Sequence, residues 1–346
     1  MTGKKYAILS TQVLVLVAIL LIILLRNHEA SAREGWSYEL CEAADDLLQC
    51  DQMESAGEPR GIILLKSGWF DEAKRTKIYR LNSKAGKAEL LAEFACRPGQ
   101  SLIVPTGVYG NRRDLFTPDW MKMAATAYVD GLAHAGWIDQ DGNFIDVTAA
   151  LGLESRHDES GYTDYSAVGF RDDQTFYFRE RSIGGLTDEL KFYATSIDGL
   201  ELGPVVEVGL DDAYAYFWQN AYHGTQTWSQ TVQDRMQPNT VVNERYILSD
   251  YGDPLTGAER NFVITTPEYA IPVFEGETVS SWSPVLSPNR QSIAYLSCAN
   301  TEERVTSLYT MSLKSGKIKV LETGNLLHDS SDEAGEKVVY TILDWH

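Results

Sequence analysis

Five times along the chain a turn, often Pro followed by a polar residue, opens onto a short aromatic or β-branched run. A unit of that size cannot bury its apolar face alone, so the repeats must pack on one another. The turns are Glu58-Pro59-Arg60, Thr117-Pro118-Asp119, Arg171-Asp172-Asp173, Gln237-Pro238-Asn239 and Ser287-Pro288-Asn289. They lead into runs 62–67, 124–130, 175–180, 246–250 and 293–298. Two further strand-like runs follow in each unit: 77–82 and 88–94, 136–140 and 143–147, 190–196 and 205–208, 260–266 and 270–274, 307–313 and 317–321. Asp141-Gly142, Asp198-Gly199 and Ser315-Gly316 supply the positive-φ positions of tight hairpins.

A strand also precedes several of the turns, at 164–170, 212–218 and 279–283, with 111–116 a poorer fit; the first unit has none. The end of the chain, 337–345, offers the missing one, because a terminal strand that completes the first unit leaves no open sheet edge. The pattern predicts an all-β propeller of five blades over 58–346, closed by its C-terminal strand. A sixth blade fits only if 221–237 conceals another unit. The segment 27–57 reads as an acidic juxtamembrane tether that adds little core.

The other constraint lies at the N-terminus. Residues 7–25 are almost wholly apolar, and 13–25 contain only Val, Leu, Ile and Ala. Nineteen helical residues reach about 28 Å, close to the thickness of a bilayer's hydrocarbon core. The stretch exceeds the apolar core of a cleavable signal, although Ala30-Ser31-Ala32 resembles a cleavage site. The expectation is a single-pass signal-anchor helix at 7–25. Lys4 and Lys5 keep residues 1–6 cytoplasmic, and the main domain is extracytoplasmic. The net charge of −19 is all domain: residues 1–26 hold three bases and no acid, which leaves −22 for the rest. Such a surface excludes nucleic acid as a partner. Four cysteines, Cys41, Cys50, Cys96 and Cys298, all lie beyond the apolar stretch. In an oxidising compartment they suggest two disulfides, with Cys41 and Cys50 close enough in sequence to staple a loop and Cys96–Cys298 another conceivable pair.

One unit carries a nameable pattern. Ser281-Trp282-Ser283-Pro284, Ser287-Pro288-Asn289, Ser292–Ser297, Leu308-Tyr309-Thr310-Met311 and Ser315-Gly316-Lys317 resemble the repeat of TolB-type β-propellers. The resemblance covers 279–321; the other units lack the Trp-Ser-Pro-Asp-Gly signature, and Asn289-Arg290 stands where that signature has Asp-Gly. It implies the fold and a tendency to bind partners, and it brings no catalytic residue and no cofactor.

The chemistry-bearing candidates are few. There is no Gly-x-Ser-x-Gly elbow, no phosphate loop and no His-Glu-x-x-His, and the six histidines are not at metal-ligand spacing. Asp139, Asp141 and Asn143 alternate as a calcium loop would, but a simple β-hairpin is the stronger account of them. Asp119, Asp164, Asp212 and Asp344 lie near inner-strand positions and could converge in a central funnel as a glycosidase's carboxyl pair. Trp282 and Trp345 offer faces for sugar rings, and Tyr222 and Trp228 flank a polar insertion suited to protein recognition. The expectation is a binding or scaffolding module of the cell envelope, its ligand a protein or carbohydrate. The alternatives are a carbohydrate-active hydrolase and a sensor that regulates a neighbouring membrane protein.

Overall fold

The structure is a computed structural model. It describes residues 33, 35–49, 61–70, 73–82, 87–95, 102–103, 112–159, 161–171, 173–184, 187–198, 201–208, 236–242, 245–251, 261–266, 268–274, 280–298, 306–323, 326–327 and 338–345. Among them no helix is long and apolar enough to cross a membrane, and the stretch 7–25 lies outside the described residues.

The described chain is all-β apart from two helices and one 3-10 turn, and its strands form five antiparallel sheets in chain order. The first joins β1 (Ile62–Phe70), β2 (Ala73–Asn82) and β3 (Lys87–Ala95). The second contains β4 (Leu102–Ile103), β5 (Lys122–Val129), β6 (Leu132–Asp139) and β7 (Phe144–Asp146). In the third, β8 (Arg156–Asp158) flanks β9 (Gly161–Arg171), followed by β10 (Thr175–Gly184) and β11 (Thr187–Asp198). Two short strands, β12 (Glu201–Leu202) and β13 (Val206–Val208), share the outer edge of β11. The fourth is β14 (Met236–Val241), β15 (Ile247–Tyr251), β16 (Asn261–Thr265) and β17 (Ala270–Pro272). The fifth is β18 (Ser280–Leu286), β19 (Ser292–Cys298), β20 (Thr306–Ser312) and β21 (Ile318–Leu321). The last strand, β22 (Val339–Trp345), returns to the first sheet and pairs antiparallel with β1, from Ile62 opposite Trp345 to Ser67 opposite Val339. A succession of small meanders closed in this way is a propeller-type architecture.

Side-chain size explains how neighbouring sheets fit. Ala124, Ala135 and Trp137 of the second sheet pack against Tyr165, Phe170, Phe176 and Phe178 of the third, so small side chains on one face receive aromatic rings from the other. Gly136 completes this economy of volume, since a Cβ there would run into the carbonyl of Ile145 on β7. The first and second sheets meet over Ile63, Ile78, Phe94, Met123, Ala125 and Ile138, and the fifth meets the first over Leu296, Leu308, Ile62 and Ile342. Buried Asp250 of β15 spans the join between the fourth and fifth sheets. Its carboxylate accepts the amide of Ser283 at 2.6 Å, where φ is +55° and β18 bulges.

Three expectations change here. The segment 27–57, expected to add little core, contributes α1 (Tyr38–Gln49), which buries Leu40, Ala43, Ala44 and Leu47, at the i, i+3, i+4, i+7 spacing of one helix face, against the fourth and fifth sheets. Asp46 fixes it further, accepting from the Tyr246 hydroxyl at 2.6 Å and from Arg245 at 3.1 Å. Of the run 111–116, Arg112–Leu115 form a 3-10 turn, η1, instead of an inner strand, and Phe116 makes an isolated antiparallel bridge to Met123. Gln237-Pro238-Asn239 lies inside β14, not in a turn. Pro238 is accommodated because β14 is an edge strand whose register breaks between Pro238 and Thr240. The run 212–218 lies outside the described residues, and β14 takes the first position of its sheet.

The helix also bears on the cysteines. Cys41 lies on α1, and the expected Cys41–Cys50 staple involves a residue outside the described ones. Cys41 carries a free thiol, and Cys50 and Cys96 lie outside the described residues.

Candidate functional site

Of the four aspartates expected in a funnel, the three among the described residues lie on separate elements. Asp119 is an exposed turn residue whose carboxylate accepts from Thr117 Oγ1 at 2.6 Å and from the Met121 amide at 3.0 Å. Those bonds and Lys122 nearby outweigh its partial burial and hold its carboxyl below the usual range. Asp164 stands near the start of β9, bonded to His157 Nε2 at 2.9 Å. Asp344 is the penultimate residue of β22. Asp164 pairs across from Arg181 in the third sheet, whereas Asp344 pairs across from Ile63 in the first. Asp212 lies outside the described residues.

What does approach Asp344 is Asp114, on η1, a residue that no motif or spacing in the sequence singles out. η1 packs against β22, β9 and β5, and so touches three of the five sheets. The loop around it is tied by Arg113, whose guanidinium donates to the carbonyls of Phe116 (3.0 Å), Thr117 (3.2 Å) and Pro118 (3.1 Å). The same group lies 3.7 Å over the Trp120 ring, and Trp120 takes φ of +62° to close the turn. Leu115, Phe116 and Trp120 then sink into the cluster between the first two sheets, with Phe116 5.9 Å from Phe94 and 5.5 Å from Trp120.

Asp114 is left partly exposed at the surface of this knot. Burial pushes its carboxyl up to about 7, Arg113 opposes the shift, and the charge of Asp344 adds to it. A carboxyl that is half-protonated near neutrality beside a second carboxylate is the electrostatic arrangement of general acid and base pairs. It also makes a test. Asp114 binds its proton more tightly in the folded chain, so stability should fall as pH rises from about 4 to about 7 and then level off. Urea denaturation across that window should give a flatter profile for Asp114→Asn; an unchanged profile would remove Asp114 from the account.

The other candidates have structural partners. Both carboxylate oxygens of Asp139 are taken by Asn143, through its amide N–H at 2.8 Å and its side-chain nitrogen at 2.9 Å, while Asp141 is exposed and Gly142 turns the hairpin at φ +79°. Among the described residues no group of three or more His, Cys, Asp or Glu is placed to hold a metal ion. Trp282 donates its indole N–H to the Tyr340 carbonyl at 3.0 Å, which pins the fifth sheet to β22, and Trp345 packs against the same cluster. Tyr222 and Trp228 lie outside the described residues. A second polar knot, unforeseen in the sequence, sits on the third sheet: Tyr165 and Tyr193 both donate to Glu180 Oε2, at 2.9 and 3.1 Å, and Ser182 donates to Oε1 at 3.0 Å. Burial and the adjacent carboxylate push both phenols well above their ordinary range.

No protein-family model matches the sequence, and no curated protein matches it. Solved structures similar to it include TolB from Acinetobacter baumannii, at 16% identity and a TM-score of 0.30, which covers 82% of this chain and 55% of that one. A putative TolB from Agrobacterium tumefaciens is similar at 13% identity and 0.29, over 76% and 89% of the two chains. The β-propeller domain of the Trilobed protease from Pyrococcus furiosus is similar at 15% and 0.23, over 78% and 67%. The chain spans about half the length of the first of these. Its likeness is to TolB and other β-propellers, while the argument for the fold rests on the strand pairing of the chain itself.

Proposed function

We propose that this chain is a single-pass, N-terminally anchored, extracytoplasmic five-bladed propeller, each sheet one blade, that serves as a binding or scaffolding module of the cell envelope. The observation that carries the reading is the pairing of β22 with β1, which ties the two ends of the domain into one body and leaves loops as the variable surface. The apolar stretch 7–25 supports the anchor, and α1 supports a domain seated directly on the segment that follows it. Affinity capture from detergent-solubilised envelopes, with full-length chain as bait, should retain a defined protein or polysaccharide. A chain lacking 339–346 should lose that ligand, and equal retention by the ring-opened chain would sink the reading.

A second reading, carbohydrate hydrolysis, is favoured by one observation, the Asp114–Asp344 pair with its raised carboxyl. Asp114, with its raised carboxyl, would serve as the acid, and Asp344 is the second carboxyl group of the pair. Release of reducing ends from envelope polysaccharide, lost in both Asp114→Asn and Asp344→Asn, would support it. Activity that survives both substitutions would end it.

A further inference from the structure

The hairpin of β20 and β21 is chemically unlike the rest of the domain. Residues 306–321 contain Lys314, Lys317 and Lys319 and no acid, in a domain that carries a net −22. All three lysines are exposed, and none makes an ion pair among the described residues. The bases of the first sheet behave differently: Arg75 and Lys77 pair with Glu93, and Arg80 pairs with Glu89. Between the lysines stand Ile318 and Val320, 44% and 62% exposed, on the outermost strand of their sheet. An outer strand that alternates bare lysine and bare aliphatic side chains suits neither water alone nor an acidic protein face alone.

Its position points to an occupant. The indole of Trp36, two residues before α1, lies against Gly316 at the tip of the hairpin, where a Cβ would come within 3.2 Å of the ring. Trp36 is only eleven residues from Leu25, the end of the apolar stretch, a span of at most about 40 Å when fully extended. The acids of α1 beside the hairpin are partly neutralised, Asp45 by Arg33 at 2.8 Å and Asp46 by Arg245 at 3.1 Å, which leaves Glu39 and Glu42 exposed.

We propose that the hairpin at 313–321 docks on the anionic headgroups of the bilayer that holds residues 7–25. Lys314, Lys317 and Lys319 meet lipid phosphates, and Ile318 and Val320 enter the interfacial layer. The proposal rests on the anchor reading above. It gives the ring a fixed attitude, with the edge that carries α1 and this hairpin towards the membrane and the far edges free for a partner. Interfacial binding of this kind combines apolar burial with attraction to anionic lipid.

The test uses the full-length chain with phosphatidylcholine vesicles, with and without phosphatidylglycerol, and reads flotation together with amide hydrogen exchange. Each lysine near an anionic surface is worth about fivefold in occupancy, so three give roughly a hundredfold. Exchange over 313–321 should slow in phosphatidylglycerol vesicles, return to the phosphatidylcholine rate at high salt, and do the same in a Lys314→Glu, Lys317→Glu, Lys319→Glu variant. An Ile318→Ser, Val320→Ser variant should weaken the protection without touching the salt dependence. Flotation in both lipids with identical exchange overturns the docking and leaves the anchor standing. Flotation only with phosphatidylglycerol, lost in the lysine variant, supports the docking and removes the anchor. Equal protection in both lipids, or no flotation in either, overturns the docking.

Discussion

A chain ended at Val338 should lose cooperative unfolding and the near-ultraviolet signature of fixed aromatic packing. The strand removed is β22, and it is the inner strand of a sheet whose other members come from the opposite end of the sequence. Tyr340 and Ile342 pack in the cluster between the fifth and first sheets, and Leu343 packs between the first and second. Deleting them also uncovers β1, where Ile62, Ile63 and Leu64 are fully buried and Leu65 nearly so. At about 1.5–3 kcal/mol for each large aliphatic side chain, the loss is comparable with the whole stability of a domain, about 5–15 kcal/mol. Dye binding to exposed apolar surface should rise, and a peptide of residues 337–346 added in trans should partly restore the native signal. A truncated chain with an unchanged denaturation midpoint would refute closure of the ring by this strand.

Trp137→Ala should cost about 3–5 kcal/mol, the range for removing a fully buried tryptophan. The side chain is 1% exposed, with its ring 5.4 Å from Phe176, edge-on, and 6.2 Å from Phe170. It stands on an alanine-rich face that has nothing large enough to move into the void, so the cavity should persist. Tyr128→Ala, on the same sheet but 46% exposed, serves as the control and should change stability by no more than about 0.5 kcal/mol. Equal effects of the two substitutions would mean that the second and third sheets do not meet through Trp137.

The strands were legible where alternation and turn residues agree. Ser287-Pro288-Asn289, Ile293–Cys298 and Ser315-Gly316 have a turn, a buried run and a hairpin glycine in the right order, and β19 and the hairpin that follows lie there. The closing strand was legible too, because Val339–Trp345 is a β-branched and aromatic run and the first unit lacks a strand on its N-terminal side. The site was less so. Asp114 lies in a loop whose shape is set by Arg113 reaching three carbonyls and stacking on Trp120, and no local periodicity encodes such a knot. α1 was missed because an acidic composition hid its four apolar positions, which make a face only once the helix exists.

Residue order and composition alone specify a chain of turn-punctuated strands whose C-terminal run suits the first unit, with its negative charge kept away from an apolar N-terminal stretch. Those are properties of residue order and composition, and they survive any arrangement of the sheets. Only the tertiary structure decided which carboxylates are neighbours. Asp164 and Asp344 belong to different sheets, while η1 brings Asp114 to Asp344 from 230 residues away in sequence. Electrostatic coupling depends on distance and burial in space, and neither is written in the order of the residues.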